Sequence, residues 1–195
     1  VFFKNFMLVF VPMFVAVDAI GILPLFMGLT EGIVPADRRK IIHQSLLTAL
    51  FVAIGFVFLG KSIFRLMGVT VNDFMVAGGI LLFIIATLDL ASGRKFARTV
   101  ETIGAVPLGV PLIVGPAVLT TGLMLVDLYG TGPTVLAIVV NILLAGAVLR
   151  TADFWTRLLG QPGSQAVSKV ASLILAAIAV MMIRRGLTGI ITGSN

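Results

Sequence analysis

Of the 195 residues in this chain, 59% are hydrophobic and only 11% charged, whereas soluble domains carry roughly 25% charged residues; a domain of this size cannot bury so much apolar surface, so its solvent is largely lipid. The absence of cysteine excludes disulfides and thiolate metal sites. The net charge of +6 does not describe a nucleic-acid binder, because the basic residues fall in short clusters between apolar runs, as membrane topology requires.

The chain opens on Val1 rather than Met, so a trimmed start is expected. Lys4 and the apolar run behind it imitate a signal peptide, but the run reaches about residue 27, too far for a cleaved segment, and reads as a retained span. Six apolar stretches follow the thickness of a bilayer, at about 6–28, 41–60, 73–91, 106–127, 133–150 and 167–185. Barrel strands would be shorter and would alternate, so the expected fold is an all-α, polytopic membrane protein. The short connections leave no room for a separate soluble domain. Arg38, Arg39 and Lys40 in the first loop, Arg94, Lys95 and Arg98 in the third, and Arg150, Arg157 and Lys169 in the fifth make nine of the 14 Lys and Arg. The excess predicts those loops on the cytoplasmic side of the cell (inner) membrane and both termini outside.

Two spans are interrupted alike. The first reads P-M-F-V-A-V-D-A-I-G-I-L-P-L-F and the fourth P-L-I-V-G-P-A-V-L-T-T-G-L-M-L. With Pro12 set over Pro111 and one gap, Asp18 and Ala19 fall near Gly115 and Pro116. Each opens a three-span half, residues 1–98 and 99–195, and an odd number of spans per half predicts two inverted repeats with discontinuous first and fourth helices. Pro24 leaves the Ile20 carbonyl without a helical donor, and Pro116 does the same for Leu112; Gly21 tolerates the irregular backbone beside the first defect. Unpaired main-chain groups cost several kcal/mol in hydrocarbon and survive only against protein or a wet cavity. Two such breaks meeting near the midplane would form a small polar site suited to a zwitterion, with helix N-termini for anionic groups and carbonyls for cations.

Asp18 is the candidate for proton or ion coupling, for holding an ammonium group, or for capping the helix that follows, through the N–H of Ile20 or Gly21. Thr120 and Thr121 can face solute or bond back to carbonyls one turn earlier. Asn141 shares a stripe with Ala137 and Ala145 and reads first as helix packing, second as polar lining. Ser168, Ser172 and Ala176 make a similar packing stripe, and Gly78 and Gly79 suit close backbone approach. His43 reads as interfacial. The chain has no metal-ligand cluster, no nucleophile–base spacing and no phosphate loop; neither an enzyme nor a cofactor is expected.

The strings D-A-I-G-I-L-P-L-F-M-G-L-T-E-G, D-R-R-K, G-G-I-L-L-F-I-I-A and P-L-G-V-P-L-I-V-G-P-A-V-L-T-T together resemble the MarC family of integral membrane proteins over nearly the whole chain. Many of its members have Asn-Pro or Asp-Pro at the first break, where this chain has Asp18-Ala19, and Gly-Pro in the fourth span, kept here as Gly115-Pro116. The resemblance implies six spans and, from the family's transporter members, a substrate such as glycine or alanine moved by an ion gradient. The expected activity is therefore secondary transport of small neutral amino acids driven by H⁺ or Na⁺, around Asp18, Ala19, Ile20, Gly21, Pro24, Leu112, Gly115, Pro116, Thr120 and Thr121. The alternatives are an exporter of drugs or other metabolites and a non-transporting membrane scaffold. The expected partners are the solute, the coupling ion and the lipid bilayer, not nucleic acid, and a homo-oligomer is compatible with the sequence.

Overall fold

The computed structural model describes residues 2–91 and 104–193, and every element among them is helical. The basic residues Arg94, Lys95 and Arg98 of the third loop lie outside the described residues. Five helical runs are long and apolar enough to cross a bilayer, and a bent pair of helices makes a sixth if its two members count as one span.

Helices α1 (Phe2–Val17) and α2 (Ala19–Leu29) are separated by Asp18 alone. Asp18 is left-handed, with φ 45° and ψ 53°, a conformation that Asp tolerates because its short side chain bonds locally. The ladder nevertheless runs across it: Asp18 N donates to Phe14 O at 3.1 Å and Ile22 N to Asp18 O at 3.1 Å. The two helices thus form one span of 28 residues. The sequence places the irregularity around Gly21 and Pro24; the structure concentrates it at Asp18, and Pro24 lies inside α2.

Helix α3 (Pro35–Met67) begins with proline at its first position, where no N–H is needed. It starts earlier than the apolar pattern predicts, so Arg38, Arg39 and Lys40 lie on its first turns rather than in a loop. Helix α4 (Val71–Ala91) is opened by a reciprocal cap: Asp73 N donates to Thr70 Oγ1 at 3.2 Å, and Thr70 N to Asp73 Oδ2 at 2.7 Å. Next comes α5 (Gly104–Ile113), a wide-turned segment in which Val106 and Val110 are extended. Each precedes a proline joined by a cis peptide bond, and a residue before proline disfavours helical angles. The chain then bends by 47° into α6 (Pro116–Tyr129). Helix α7 (Thr131–Arg150) runs almost directly into α8 (Ala152–Thr192), which is broken at left-handed Gly160, with φ 65° and ψ −175°. Most of the predicted fifth loop is therefore helical.

Large side chains such as Phe51 (81% exposed) and Ile191 (84%) project outward, as they do where lipid replaces water. The interior is sealed by small residues. A Cβ at Gly79 of α4 would stand 2.8 Å from the Ala179 carbonyl oxygen of α8, and one at Gly186 of α8 would stand 2.7 Å from the Asn72 carbonyl oxygen. Between lipid-solvated helices such close approach supplies the van der Waals attraction that the hydrophobic effect cannot. On the opposite side, α1 packs along α7 and α5 along α3. There Asn141 Nδ2 donates to the Phe10 carbonyl at 3.3 Å and to Ala137 O at 2.9 Å, which ties α7 to α1.

At one end of the bundle, Arg38 is 7% exposed. It donates to the Thr30 carbonyl at 3.3 Å, to Asp153 Oδ1 at 3.1 Å and to Thr156 Oγ1 at 3.2 Å. This network joins the end of the first span, the start of the second and the start of α8.

The α4–α8 seam yields a stability prediction. Gly79→Ala drives a methyl group into fixed backbone and should destabilise by about 1–3 kcal/mol. Gly78→Ala meets the flexible tip of Met182 at 3.3 Å and the Pro111 ring at an ordinary 3.5 Å, and should be much milder. Thermal unfolding in detergent checks the order; equal melting temperatures for the two variants would contradict this account of the seam.

Candidate functional site

A cavity of about 570 Å³ lies where α1, α2, α4, α5, α6 and α8 meet. Its residues are set in place by the two irregular spans. Asp18 Oδ1 accepts from Gly21 N at 3.2 Å, so the carboxylate is folded over the first turn of α2. A Cβ on Gly21 would collide with that carboxylate, so the glycine makes room for it. Across the cavity Gly115 precedes α6. A Cβ there would stand 2.5 Å from the Pro111 carbonyl oxygen, so the bend between α5 and α6 admits glycine and little else.

The two helix starts differ in electrostatics. The start of α2 is already met by Asp18. The start of α6 has no side-chain cap, and it lines the cavity through Gly115, Pro116 and Ala117. First-turn N–H groups without partners carry a partial positive charge and attract anions. Asp18 and Arg185 are the charged side chains of the lining, and Thr121 adds a hydroxyl. The remaining wall is mostly apolar, with Met75, Leu82, Ile178 and Met182 prominent. Such a site can hold a solute that carries both signs of charge beside an apolar flank. Among the described residues, no group of His, Asp and Glu is placed to hold a metal ion.

Six of the residues singled out in the sequence line this cavity: Asp18, Gly21, Leu112, Gly115, Pro116 and Thr121. The others stand elsewhere. Ala19 is buried in the main core. Ile20 is 69% exposed and, with Ala19 and the outer side of Asp18, lines a second pocket of about 310 Å³. Pro24 lies within α2 between Ile22 and Leu25, which line the cavity, but is not itself part of the lining. Thr120 is exposed, and its Oγ1 bonds back to the Pro116 carbonyl at 2.7 Å. Asn141 faces α1 through Phe10.

Arg185 is a lining residue absent from the expected site, since the sequence places it at the very end of the sixth span, about 167–185. That span runs on to Thr192, so Arg185 belongs within it. The signal was there: the apolar pattern resumes after Arg184 and Arg185 as G-L-T-G-I-I-T. Met75, Met181 and Met182 were also missed, because an apolar residue in an apolar span does not show which face it occupies.

The family model described as "MarC family integral membrane protein" matches residues 3–191. A UPF0056 membrane protein of Methanocaldococcus jannaschii is 33% identical over 195 residues, covering 93% of this chain and 86% of that protein. A UPF0056 membrane protein of Pyrococcus abyssi is 30% identical over 194 residues, covering 95% and 96%. The UPF0056 inner membrane protein YhgN of Escherichia coli K12 is 32% identical over 176 residues, covering 87% and 89%. No solved structure matches. A match over almost the full length, together with a bundle of membrane-crossing helices, assigns the chain: it belongs to the MarC family of integral membrane proteins.

Proposed function

We propose that this protein is a secondary transporter of small neutral amino acids, driven by an H⁺ or Na⁺ gradient. The observation that carries the reading is the pairing of Asp18 and Arg185 with the open start of α6 around one largely apolar cavity. In this reading Asp18 takes the ammonium group. The α6 start takes the carboxylate, which Arg185 draws in. The apolar wall receives the side chain. In this reading the charged Arg38, Arg39 and Arg150 lie at the cytoplasmic end and the termini lie outside.

We further read residues 1–98 and 99–195 as inverted repeats whose discontinuous members are α1–α2 and α5–α6. The packing supports this. Under exchange of the halves, the pairing of α1 with α7 becomes that of α5 with α3, and α2 with α7 becomes α6 with α3; both members of each exchange are present. The pairs α3–α7 and α4–α8 map onto themselves. Several exchanges are unequal, and the widest difference is this: α2 lies along α8 over a long seam, while its counterpart α6 meets α4 at few residues. An inverted-repeat carrier works by such inequality, closing one side and opening the other, then reversing. Opening the α2–α8 seam as α6 closes on α4 would turn the cavity to the opposite side.

The methionine-rich lining also favours a second reading. Flexible thioether side chains adapt to varied apolar shapes, and the volume suits ligands larger than alanine. An exporter of amphipathic metabolites or drugs would use the same cavity.

Proteoliposomes loaded with the purified chain should take up glycine, alanine or serine under an imposed H⁺ or Na⁺ gradient. Failure with every neutral amino acid under both gradients would overturn the lead reading, and uptake of amphipathic cations alone would favour the second. Asp18→Asn keeps a cap but removes the charge, and should slow uptake roughly 10- to 100-fold, the loss expected for a charged hydrogen bond.

The rocking motion has its own test. A Cβ at Gly28 would lie 2.9 Å from Ala171 Cβ across the α2–α8 seam, inside the roughly 3.5–4.5 Å of a disulfide, so a cross-link requires a slight outward shift of the two helices; the chain has no cysteine of its own. Oxidising a Gly28→Cys, Ala171→Cys double variant should stop uptake, and reduction should restore it. Undiminished uptake by the cross-linked protein would exclude movement at that seam.

A further inference from the structure

A chemically different cavity lies at the end of the bundle where α3 begins and α7 passes into α8. It measures about 360 Å³, and its wall includes Arg38, Arg39, His43, Arg150, Asp153 and Phe26. We propose that it binds a phosphate-bearing anion, such as the headgroup of an anionic phospholipid.

Topology alone explains basic residues near a membrane surface, but not their convergence here. Arg38 is 7% exposed, and its guanidinium is held by Asp153, Thr156 and the Thr30 carbonyl. It is therefore a fixed part of the wall and not a solvated surface charge. Arg39 comes from α3 and Arg150 from the end of α7, and both line the same space. Three guanidinium groups thus face one carboxylate, and that carboxylate already serves Arg38. Among the described residues, no ion pair neutralises Arg39 or Arg150.

Local helix electrostatics point the same way. Arg38 and Arg39 occupy the first turns of α3, where the dipole favours acidic side chains; Asp37, the acidic residue of that turn, pairs with Lys40 at 3.2 Å, and Val34 offers no side-chain cap. An anionic phosphate in the pocket would offset the mutual repulsion of the arginines. Their planar forks suit phosphate oxygens taken two at a time. Basic pockets between membrane helices, near one end of the spans, are a known geometry for phospholipid headgroups. The pocket stands on α3, α7 and α8 and does not depend on the transport reading.

The test uses the purified full chain in neutral detergent, titrated with short-chain phosphatidylglycerol, short-chain phosphatidylcholine and sodium phosphate, with thermal unfolding and calorimetry as readouts. Saturable binding of phosphatidylglycerol, with neither phosphatidylcholine nor inorganic phosphate competing, assigns a lipid headgroup. Binding of inorganic phosphate at comparable concentration assigns free phosphate as the source. In either case an Arg39→Gln, Arg150→Gln double variant should bind about thirtyfold more weakly, each single variant should lie between, and affinity should fall with added salt. Both side chains are exposed, so melting without ligand should hardly change. Arg184→Gln, outside the pocket, is the control and should bind as the parent does. Absence of saturable binding by either phosphate compound, or binding that the double variant leaves intact, overturns the proposal.

Discussion

The governing constraint is that a peptide group in hydrocarbon must find its hydrogen-bond partner within the protein. It makes every described element helical, and it gives each departure from helix a consequence. Asp18 departs by one left-handed residue and repairs the ladder at once, through bonds to Phe14 and from Ile22. The segment from Gly104 to Gly115 departs more widely, with extended valines before its prolines and a bend at Gly115. The largest apolar-walled cavity described above lies between these two irregular stretches, where main-chain groups can be exposed without facing lipid.

The two stretches are not equivalent. Asp18 turns its own carboxylate onto the start of α2, so that start is electrostatically satisfied. The start of α6 has glycine in the capping place and is left open. The same asymmetry recurs in packing, where α2 is sealed against α8 by Gly28, Ala171 and Ser168, whose Oγ donates to the Gly28 carbonyl at 3.3 Å, while α6 and α4 stay largely apart. In the proposed carrier, this unequal packing of the two halves would alternate with its converse.

Charge within the spans is sparse and localised. Asp18 and Arg185 serve the central cavity, while Arg38, Arg39 and Arg150 gather at one end. The basic residues counted in the sequence as orientation signals therefore divide into a topological set and a set that builds pockets. Only burial and convergence separate them: Arg38 is enclosed and triply bonded, whereas Lys40 pairs with Asp37 on the surface at 3.2 Å.

Membrane residence, helical class, six apolar stretches and the two unusual spans were legible in the sequence, because lipid imposes a length and an apolar composition, and proline and glycine show where a helix is disturbed. Asp18, Gly21, Gly115 and Pro116 were readable for the same reason: each is a local exception in an apolar run. What only the tertiary structure decided is which residues share a space. Span periodicity in an all-apolar helix does not reveal which face meets protein and which meets lipid, so Arg185, Met75 and Met182 emerged only when α4 and α8 were seen to close the cavity, and Ile20 and Thr120 proved to face away from it. Likewise the gathering of Arg39 and Arg150, 111 positions apart in the chain, follows from helix packing, a long-range property that no local pattern encodes.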